Sequence, residues 1–116
     1  RNDMEGYIRD NISGRALTET TFLVLLALFQ PNHGYGIMQF VEKETRKRVI
    51  LGAGTLYGAI NTLLKKEWIR LIAKDRDSNK KTYLITEVGR KIAADELLRI
   101  QELGNLAGRI MGDEPR

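Results

Sequence analysis

The chain has 116 residues, of which 42% are hydrophobic, so it can bury one core of modest size and has no room for a second domain beside it. It contains no cysteine and a single histidine, His33, which excludes a disulfide framework and a thiolate metal site. The net charge of +4 is compatible with a polyanionic partner without requiring one.

No segment of the sequence predicts a membrane anchor or a secretory signal. The longest apolar run, residues 22–29, is far shorter than the roughly 20 residues needed to cross a bilayer. The chain begins Arg1-Asn2-Asp3 and continues with polar sequence, unlike a signal peptide. Together with the lack of cysteine, these features predict a cytoplasmic protein with no membrane partner.

The first half of the chain carries two patterns typical of helices. Residues 18–30 begin with Thr-Glu-Thr-Thr and then become almost wholly apolar, which predicts a helix buried on most sides. Residues 31–34 are predicted to end it as a turn. A second helix is predicted from about Tyr35 to Thr45, and its basic end, residues 46–48, complements the helix dipole. Its predicted core-facing residues are Ile37, Met38 and Val41.

A third helix is predicted from about Ala53 to Lys66, after a cluster of glycines in which Gly52 is an acceptable N-cap. Apolar residues spaced by four and three positions form one stripe: Leu56, Ile60 and Leu63. The opposite side carries small and polar residues: Thr55, Gly58, Asn61, Thr62 and Lys65.

After Trp68 the pattern changes to that of strands. Residues 69–74 and 81–86 flank a polar stretch with turn composition, which predicts a β-hairpin with a charged tip. Thr86 is the predicted N-cap of a long last helix that reaches to about Met111. The predicted fold class is therefore mainly α with a small β-hairpin.

This order of elements is typical of a winged helix-turn-helix, which places one helix in the major groove of DNA and a hairpin beside it. Gly52 and Gly54 would let the third helix approach a phosphate closely with its N-terminus. Between Arg70 and Lys81 the hairpin holds five basic and two acidic residues, which suits contacts with phosphates. Taken alone, such a run of charge is more often only a solvated surface.

Three motifs resemble the PadR family of transcriptional regulators: His33-Gly34-Tyr35-Gly36-Ile37, Gly54-Thr55-Leu56-Tyr57 and Lys81-Thr82-Tyr83-Leu84-Ile85-Thr86-Glu87-Val88-Gly89. They occur in the family's order and cover roughly residues 18 to 92. The resemblance implies a cytoplasmic winged-helix repressor that binds palindromic operator DNA as a homodimer formed through its last helix. It also implies release by small ligands or stress signals, and in some short members of the family the ligands are flat aromatic drugs held at the dimer interface.

The chain departs from the family pattern at two positions. The family usually has proline where Gly58 stands and glycine where Glu67 ends the third helix. We therefore expect Glu67 to adopt a backbone conformation that glycine takes more easily. A glycine inside a helix costs about 1 kcal/mol relative to alanine, so Gly58 is expected to weaken the third helix slightly.

The residues expected to contact DNA lie on the second and third helices and on the hairpin: Tyr35, Gly54, Thr55, Tyr57, Asn61, Lys65, Lys74, Arg76, Lys80 and Lys81. Simpler alternatives stay open for three of them. Tyr57 could pack beneath the second helix, Tyr35 could be a half-buried capping aromatic, and Lys65 could be merely solvated.

Trp68, the only tryptophan, is expected to complete the core, and the alternative is stacking against a small aromatic or phenolic effector. His33 is interpreted as a turn residue rather than a catalytic or metal-binding one. The last helix carries too many apolar residues for a helix that leaves a small domain, which predicts a two-fold homodimer. The alternative is that this helix folds back on its own domain. The predicted interface residues are Leu97, Ile100, Leu103, Leu106, Ala107 and Ile110.

The sequence is predicted to divide into an N-terminal extension (1–17), a DNA-binding domain (18–86) and a dimerisation helix (87–116). The favoured function is a ligand-responsive repressor whose partners are duplex DNA and a second copy of the chain, without a cofactor. A winged-helix module that binds only protein is the alternative. An enzyme is not expected, since no nucleophile, metal or phosphate-loop constellation is evident.

Overall fold

The computed structural model describes residues 16–112, and within them the predicted order of helices and strands is confirmed apart from one additional short strand. The described elements are α1 (Glu19–Ala27), β1 (Asn32–His33), α2 (Gly34–Glu44), α3 (Ala53–Lys65), β2 (Ile69–Lys74), β3 (Lys81–Ile85) and α4 (Glu87–Ile110). The fold class is confirmed as a mainly helical winged helix with a small antiparallel sheet. Most of the predicted N-terminal extension, residues 1–15, lies outside the described residues. None of the described helices combines the length and apolar character that crossing a bilayer requires.

The sheet has three strands, one more than the predicted hairpin. Their order is β1-β3-β2, and β1 pairs antiparallel to β3 through Asn32↔Tyr83 and His33↔Thr82. The prediction of a plain turn at residues 31–34 was wrong, because a two-residue strand is too short to show alternating side chains. α1 ends at Ala27, earlier than predicted, and the carbonyl of Leu28 beyond it accepts a hydrogen bond from the N–H of Ile85 in β3 at 2.9 Å.

One hydrophobic core joins the helices to the sheet. The predicted stripe of α3 is confirmed, with all three residues at most 1% exposed: Leu56, Ile60 and Leu63. On α2, Ile37 and Val41 are fully buried and Met38 packs against the core, as predicted. α1 contributes buried residues from its middle and its end: Val24, Leu25, Ala27 and Leu28. This burial directs the polar side of α3 away from the protein.

The end of α3, the start of β2 and the start of α4 meet at one junction. Glu67 has a φ of 63°, the left-handed conformation expected there, and α3 closes with the two hydrogen bonds of a Schellman motif. In these, Glu67 N–H donates to Leu64 O and Trp68 N–H to Leu63 O, both at 3.0 Å. Thr86 joins the junction, because its N–H donates to Trp68 O at 2.9 Å and its hydroxyl to Glu67 O at 2.8 Å. One short segment therefore orients three elements.

Helix α4 begins directly against this junction. Thr86 is its N-cap, as predicted, and its hydroxyl accepts the N–H of Gly89 at 3.1 Å. A Cβ on Gly89 would overlap the carbonyl oxygen of Trp68 and lie 2.7 Å from Cγ1 of Ile85. Since the overlapping oxygen belongs to the backbone, only glycine permits this close approach.

The first half of α4 packs against α1 and β3 and carries a buried carboxylate. Glu96 is the one charged residue buried within the described residues, at 5% exposure. Its carboxylate accepts a hydrogen bond from the N–H of Leu17 at 3.2 Å and another from Nε of Arg99 at 3.0 Å. The hydrogen bonds from Arg99 hold the pKa of Glu96 below its usual range, against the opposing effect of burial. Glu96 therefore fastens α4 to the segment that leads into α1.

We predict that Gly89→Ala destabilises the protein, because its new methyl group would displace the Trp68 carbonyl and shift the junction. Such overpacking costs roughly 1–3 kcal/mol in free energy of unfolding, which urea denaturation would measure. Gly58→Ala is the matched control, since a Cβ at that helical position would meet no described side chain or other element within 4 Å. It should instead raise the free energy of unfolding by about 1 kcal/mol. Two variants of equal stability would contradict the close packing at Gly89.

We predict that Glu96 makes folding stability depend on pH in the acid range. Its folded pKa is lowered, so its contribution is complete above the ordinary glutamate pKa of about 4.3 and is lost as the pH falls through the lower folded pKa. Glu96→Gln should therefore be less stable than the wild type by roughly 1–3 kcal/mol near neutral pH. The difference should shrink as the pH falls below about 4.

The matched control for this experiment is Glu102→Gln, which removes an exposed carboxylate from the same helix. Urea denaturation over a series of pH values measures all three proteins. A difference between wild type and Glu96→Gln that is the same at neutral and acid pH would contradict the prediction.

Candidate nucleic-acid interface

Helix α3 presents a polar, uncovered face opposite the core. The side chains there are short or flexible and all of them are exposed: Gly54, Thr55, Gly58, Asn61, Thr62 and Lys65. Their direction follows from the buried stripe, because residues on the other side of a 3.6-residue helix must face solvent. No bulky apolar group stands among them, so base edges could approach within hydrogen-bonding distance. The structure thus brings Gly54, Thr55, Asn61 and Lys65 together and adds Gly58 and Thr62, which the predicted site residues did not include.

The N-terminus of α3 is open to an incoming anion. Gly52 is the N-cap, as predicted, and no side chain caps the first turn. The first N–H groups of the helix therefore lack acceptors within it. A Cβ built at Gly52 or Gly54 would meet no side chain or distant backbone of residues 16–112 within 4 Å, so the space beside these two glycines is open. Free N–H groups at the positive end of the helix dipole are suited to binding a phosphate.

Tyr57 links α3 to α2. Its hydroxyl end lies over Gly34, where a Cβ would overlap Oη and lie 2.8 Å from Cζ. This contact supports the packing alternative, yet Tyr57 is still 45% exposed and lies three and four positions from Gly54 and Asn61 on the polar face. Tyr35, at the start of α2, is 63% exposed, which is more than a half-buried capping residue would be. The two tyrosines therefore flank the place where α2 begins beside α3.

The tip of the hairpin is a structured turn. Asp75 and Lys80 close it through a 2.8 Å hydrogen bond from N–H to carbonyl, and Asn79 takes a left-handed φ of 64°. The Asp75 carboxylate accepts hydrogen bonds from the hydroxyl of Ser78 at 2.5 Å and from its N–H at 3.0 Å. These bonds lower the pKa of Asp75, with the hydroxyl making the larger contribution. The turn thus has a defined shape without any contact to the core.

The cations of the hairpin are available for a partner. Lys74, Arg76, Lys80 and Lys81 are all exposed, and none forms an ion pair with another residue of 16–112. β2 contains a bulge, because the pairing moves from Leu71↔Tyr83 to Ala73↔Thr82 and leaves Ile72 as an extra residue. A bulge increases the twist of its strand, so the basic tip is turned relative to the buried base of the hairpin.

Trp68 and His33 both belong to the folded framework of the protein. Trp68 is 7% exposed within the core, and the ammonium of Lys66 lies 5.1 Å from the centre of its ring. His33 belongs to β1 and is the N-cap of α2, so it is a strand and capping residue rather than the predicted turn residue. Residues 16–112 contain no group of three or more His, Asp or Glu side chains placed to hold a metal ion.

The second half of α4 continues the face that the first half buries. Gly89, Ala93 and Glu96 are buried there, with spacings of four and three residues. The same spacings continue through residues that no other described part of the chain covers: Ile100, Leu103, Ala107 and Ile110. Leu97 and Leu106 lie along the two edges of this face. The five large residues of the predicted interface are 41–73% exposed: Leu97, Ile100, Leu103, Leu106 and Ile110.

A cleft of about 400 Å³ lies where α4 leaves α1. Its walls are mainly apolar and include Phe22 and Leu26 of α1 and Ile100 of α4, with Glu96 and Arg99 at one side. The cleft and the exposed face of α4 therefore meet at Ile100 and form one continuous apolar surface.

Comparisons of sequence place this fold among known proteins. The profile of the transcriptional regulator PadR-like family matches residues 22–95, from α1 to the first part of α4. An uncharacterized 37.1 kDa protein in transposon Tn4556 of Streptomyces fradiae is 31% identical over 93 residues. The aligned region is 79% of this chain and 25% of that protein, so the chain spans about a quarter of the length of this relative.

Solved structures of similar fold include a PadR family transcriptional regulator from Eggerthella lenta, with 20% identity, a TM-score of 0.69 and coverage of 78% of this chain and 80% of that one. A PadR-like transcription factor from Bacteroides fragilis has 20% identity, a TM-score of 0.67 and coverage of 94% and 99%. A PadR family transcription regulator from Clostridium difficile has 21% identity, a TM-score of 0.65 and coverage of 79% and 97%. At about 20% sequence identity, the similarity to these structures shows a shared fold. Because the family profile matches more than half of its length, the chain belongs to the PadR-like family of transcriptional regulators.

Proposed function

We propose that this regulator binds duplex DNA in a sequence-specific manner by placing α3 in the major groove. The observation that carries the proposal is the exposed polar face of α3 on a helix whose other side is anchored in the core by Leu56, Ile60 and Leu63. The major groove is about 12 Å wide and admits one helix. Membership of a family of transcriptional regulators supports this use of the face.

In this proposal, the different parts of the DNA-binding surface contact different parts of the duplex. Thr55 and Asn61 hydrogen-bond to base edges, and Lys65 meets a phosphate at the border of the groove. The open end of α3 at Gly54 receives another phosphate. Tyr35 and Tyr57 donate hydrogen bonds to the DNA backbone beside α3. The hairpin lies along the flanking backbone or the minor groove and contributes its four exposed cations: Lys74, Arg76, Lys80 and Lys81.

We predict that changes on α3 and on the hairpin affect DNA binding differently. Thr55→Ala combined with Asn61→Ala should reduce the preference for the operator over mixed-sequence DNA, since each lost base contact removes roughly 1–3 kcal/mol of discrimination. Lys80→Ala combined with Lys81→Ala should weaken binding to all sequences alike. It should also reduce the slope of log affinity against log salt by about 2. Fluorescence anisotropy with both kinds of DNA at several salt concentrations measures these effects.

The wild type is the reference, and circular dichroism checks that each variant is folded. A wild-type affinity for DNA that does not change with salt, or two variants that bind operator as the wild type does, would contradict the proposal. That outcome would favour the other use of the fold, a winged-helix module that binds protein.

We also propose that the protein is a two-fold homodimer in which two copies of α4 cover each other. The repeated spacing of four and three residues from Gly89 to Ile110 is that of helices that pack side by side. The apolar cleft beside Phe22 and Leu26 would be filled by the second copy. Two copies would supply two α3 helices for the two half-sites of a palindrome.

We predict that Leu103→Glu converts the dimer to a monomer, because it places a charge within the apolar face of α4. The monomer should keep its secondary structure, since Leu103 is 54% exposed in the single chain. Leu98→Glu is the matched control, because Leu98 is also 54% exposed but lies on the opposite side of α4. Sedimentation equilibrium at micromolar concentration measures the mass. A monomeric wild type, or equal effects of the two changes, would contradict the proposal.

The regulator is further proposed to act in the cytoplasm as a repressor that a small aromatic or phenolic effector releases from its operator. The resemblance of the motifs around Gly34, Thr55 and Tyr83 to those of the family supports this part. Trp68 is the aromatic residue proposed to sense the effector, and its place at the junction would connect binding there to α3 and α4. If no member of a panel of planar aromatic compounds altered both Trp68 fluorescence and operator affinity, this part of the proposal would be wrong.

A further inference from the structure

A groove of about 740 Å³ runs along the outer side of α2, beside the surface proposed for α3. We call it the basic groove and define it by six of its lining residues: Tyr35, Gln39, Lys43, Arg46, Lys47 and Leu51. Tyr35 belongs to the proposed DNA surface, and Leu51 directly precedes Gly52, the N-cap of α3. The basic groove therefore adjoins the proposed DNA surface at Tyr35 and includes a residue next to the N-cap of α3.

The charge of the basic groove is mainly positive. Lys43, Arg46 and Lys47 line it together with one carboxylate, that of Glu42. None of the three cations forms an ion pair with a residue in the described part of the chain. By contrast, the next residue, Arg48, is paired with Glu19 at the start of α1. Cations that lack a partner along a groove attract a polyanion.

The backbone beneath these charges is strained. Arg46 and Lys47 have φ values of 53° and 67°, so two successive residues with side chains occupy the left-handed region. A Cβ disfavours this region, and glycine is the usual residue at the first position after a helix. A conformation of this kind persists only where its surroundings enforce it.

Hydrogen bonds around α2 enforce the strained turn. Lys47 N–H donates to Glu42 O at 2.8 Å and Arg46 N–H to Lys43 O at 3.1 Å, which closes the helix. The hydroxyl of Thr45 donates to the carbonyl of Val41 at 2.7 Å and accepts the N–H of Val49 at 3.1 Å. These hydrogen bonds hold the side chains of Arg46 and Lys47 on a fixed turn. A glycine in place of Arg46, the first residue after α2 and its C-cap, would relieve part of the backbone strain.

We propose that the basic groove is a second docking surface for the phosphodiester backbone of duplex DNA. The inference rests on the proposed function: while α3 reads the bases, Lys43, Arg46 and Lys47 hold phosphates of the flanking backbone. The competing explanation is that these cations only complement the dipole at the end of α2. The two explanations differ in what happens to DNA binding when the charges are removed.

The test uses Arg46→Gly combined with Lys47→Gly, which removes two charges and also relieves the left-handed strain. The variant should melt at a temperature no lower than that of the wild type, so weaker binding cannot be attributed to unfolding. Its affinity for duplex DNA should fall for all sequences alike, and the slope of log affinity against log salt should decrease by about 2. The exchange Arg46→Lys with Lys47→Arg should preserve the slope, because it keeps both charges.

The matched control is Lys91→Gln combined with Arg109→Gln, which removes the same charge from exposed positions on α4. This control should keep the wild-type slope. The proposal that the basic groove binds DNA would be wrong if the glycine variant bound DNA like the wild type, or if the glycine variant and the control lost the same affinity. Either result would leave the proposal for α3 intact. A wild type that binds no duplex DNA even at low salt would overturn both.

Discussion

The relative orientation of α3, the hairpin and α4 depends on the junction at Glu67 and Trp68. The left-handed backbone of Glu67 ends α3 and starts β2 in a new direction, while the carbonyl of Trp68 accepts the N–H of Thr86 and lies against Gly89. Helix α3, the hairpin and α4 are therefore oriented by the same few hydrogen bonds. A change in any one of the three elements has to be accommodated by the other two, since close-packed atoms leave little room for independent movement.

This shared junction gives the proposed function a physical basis. In the proposed function α3 and the hairpin contact the same DNA duplex, and a palindrome is read only if the dimer holds its two α3 helices at the matching distance. Here the direction of α4, which would set that distance, is fixed near its start by Thr86 and further along by Glu96. The buried Glu96 carboxylate joins α4 to Leu17 ahead of α1, so α4 is held at two separate points.

Much of the fold could be predicted because helix periodicity is a local property. The spacing of Leu56, Ile60 and Leu63 was enough to locate both the buried and the polar side of α3. β1 could not be predicted, because two residues form a strand only through pairing with β3, which is distant in sequence. The contact of Tyr57 with Gly34 likewise depends on how α2 and α3 cross. In the basic groove, the sequence shows the charges of Arg46 and Lys47 but gives no sign of their left-handed backbone, since neither is glycine.

The central claim, that α3 of a two-fold dimer reads DNA in the major groove, is tested most directly by selecting bound sequences from random duplex DNA. If α3 reads DNA in this way, the enriched sequence is a palindrome whose half-sites have their centres about one helical turn or more apart. Thr55→Ala with Asn61→Ala should then alter the enriched bases while the spacing of the half-sites stays the same. The absence of any enriched sequence would contradict reading by α3, and a single asymmetric half-site would contradict the two-fold dimer.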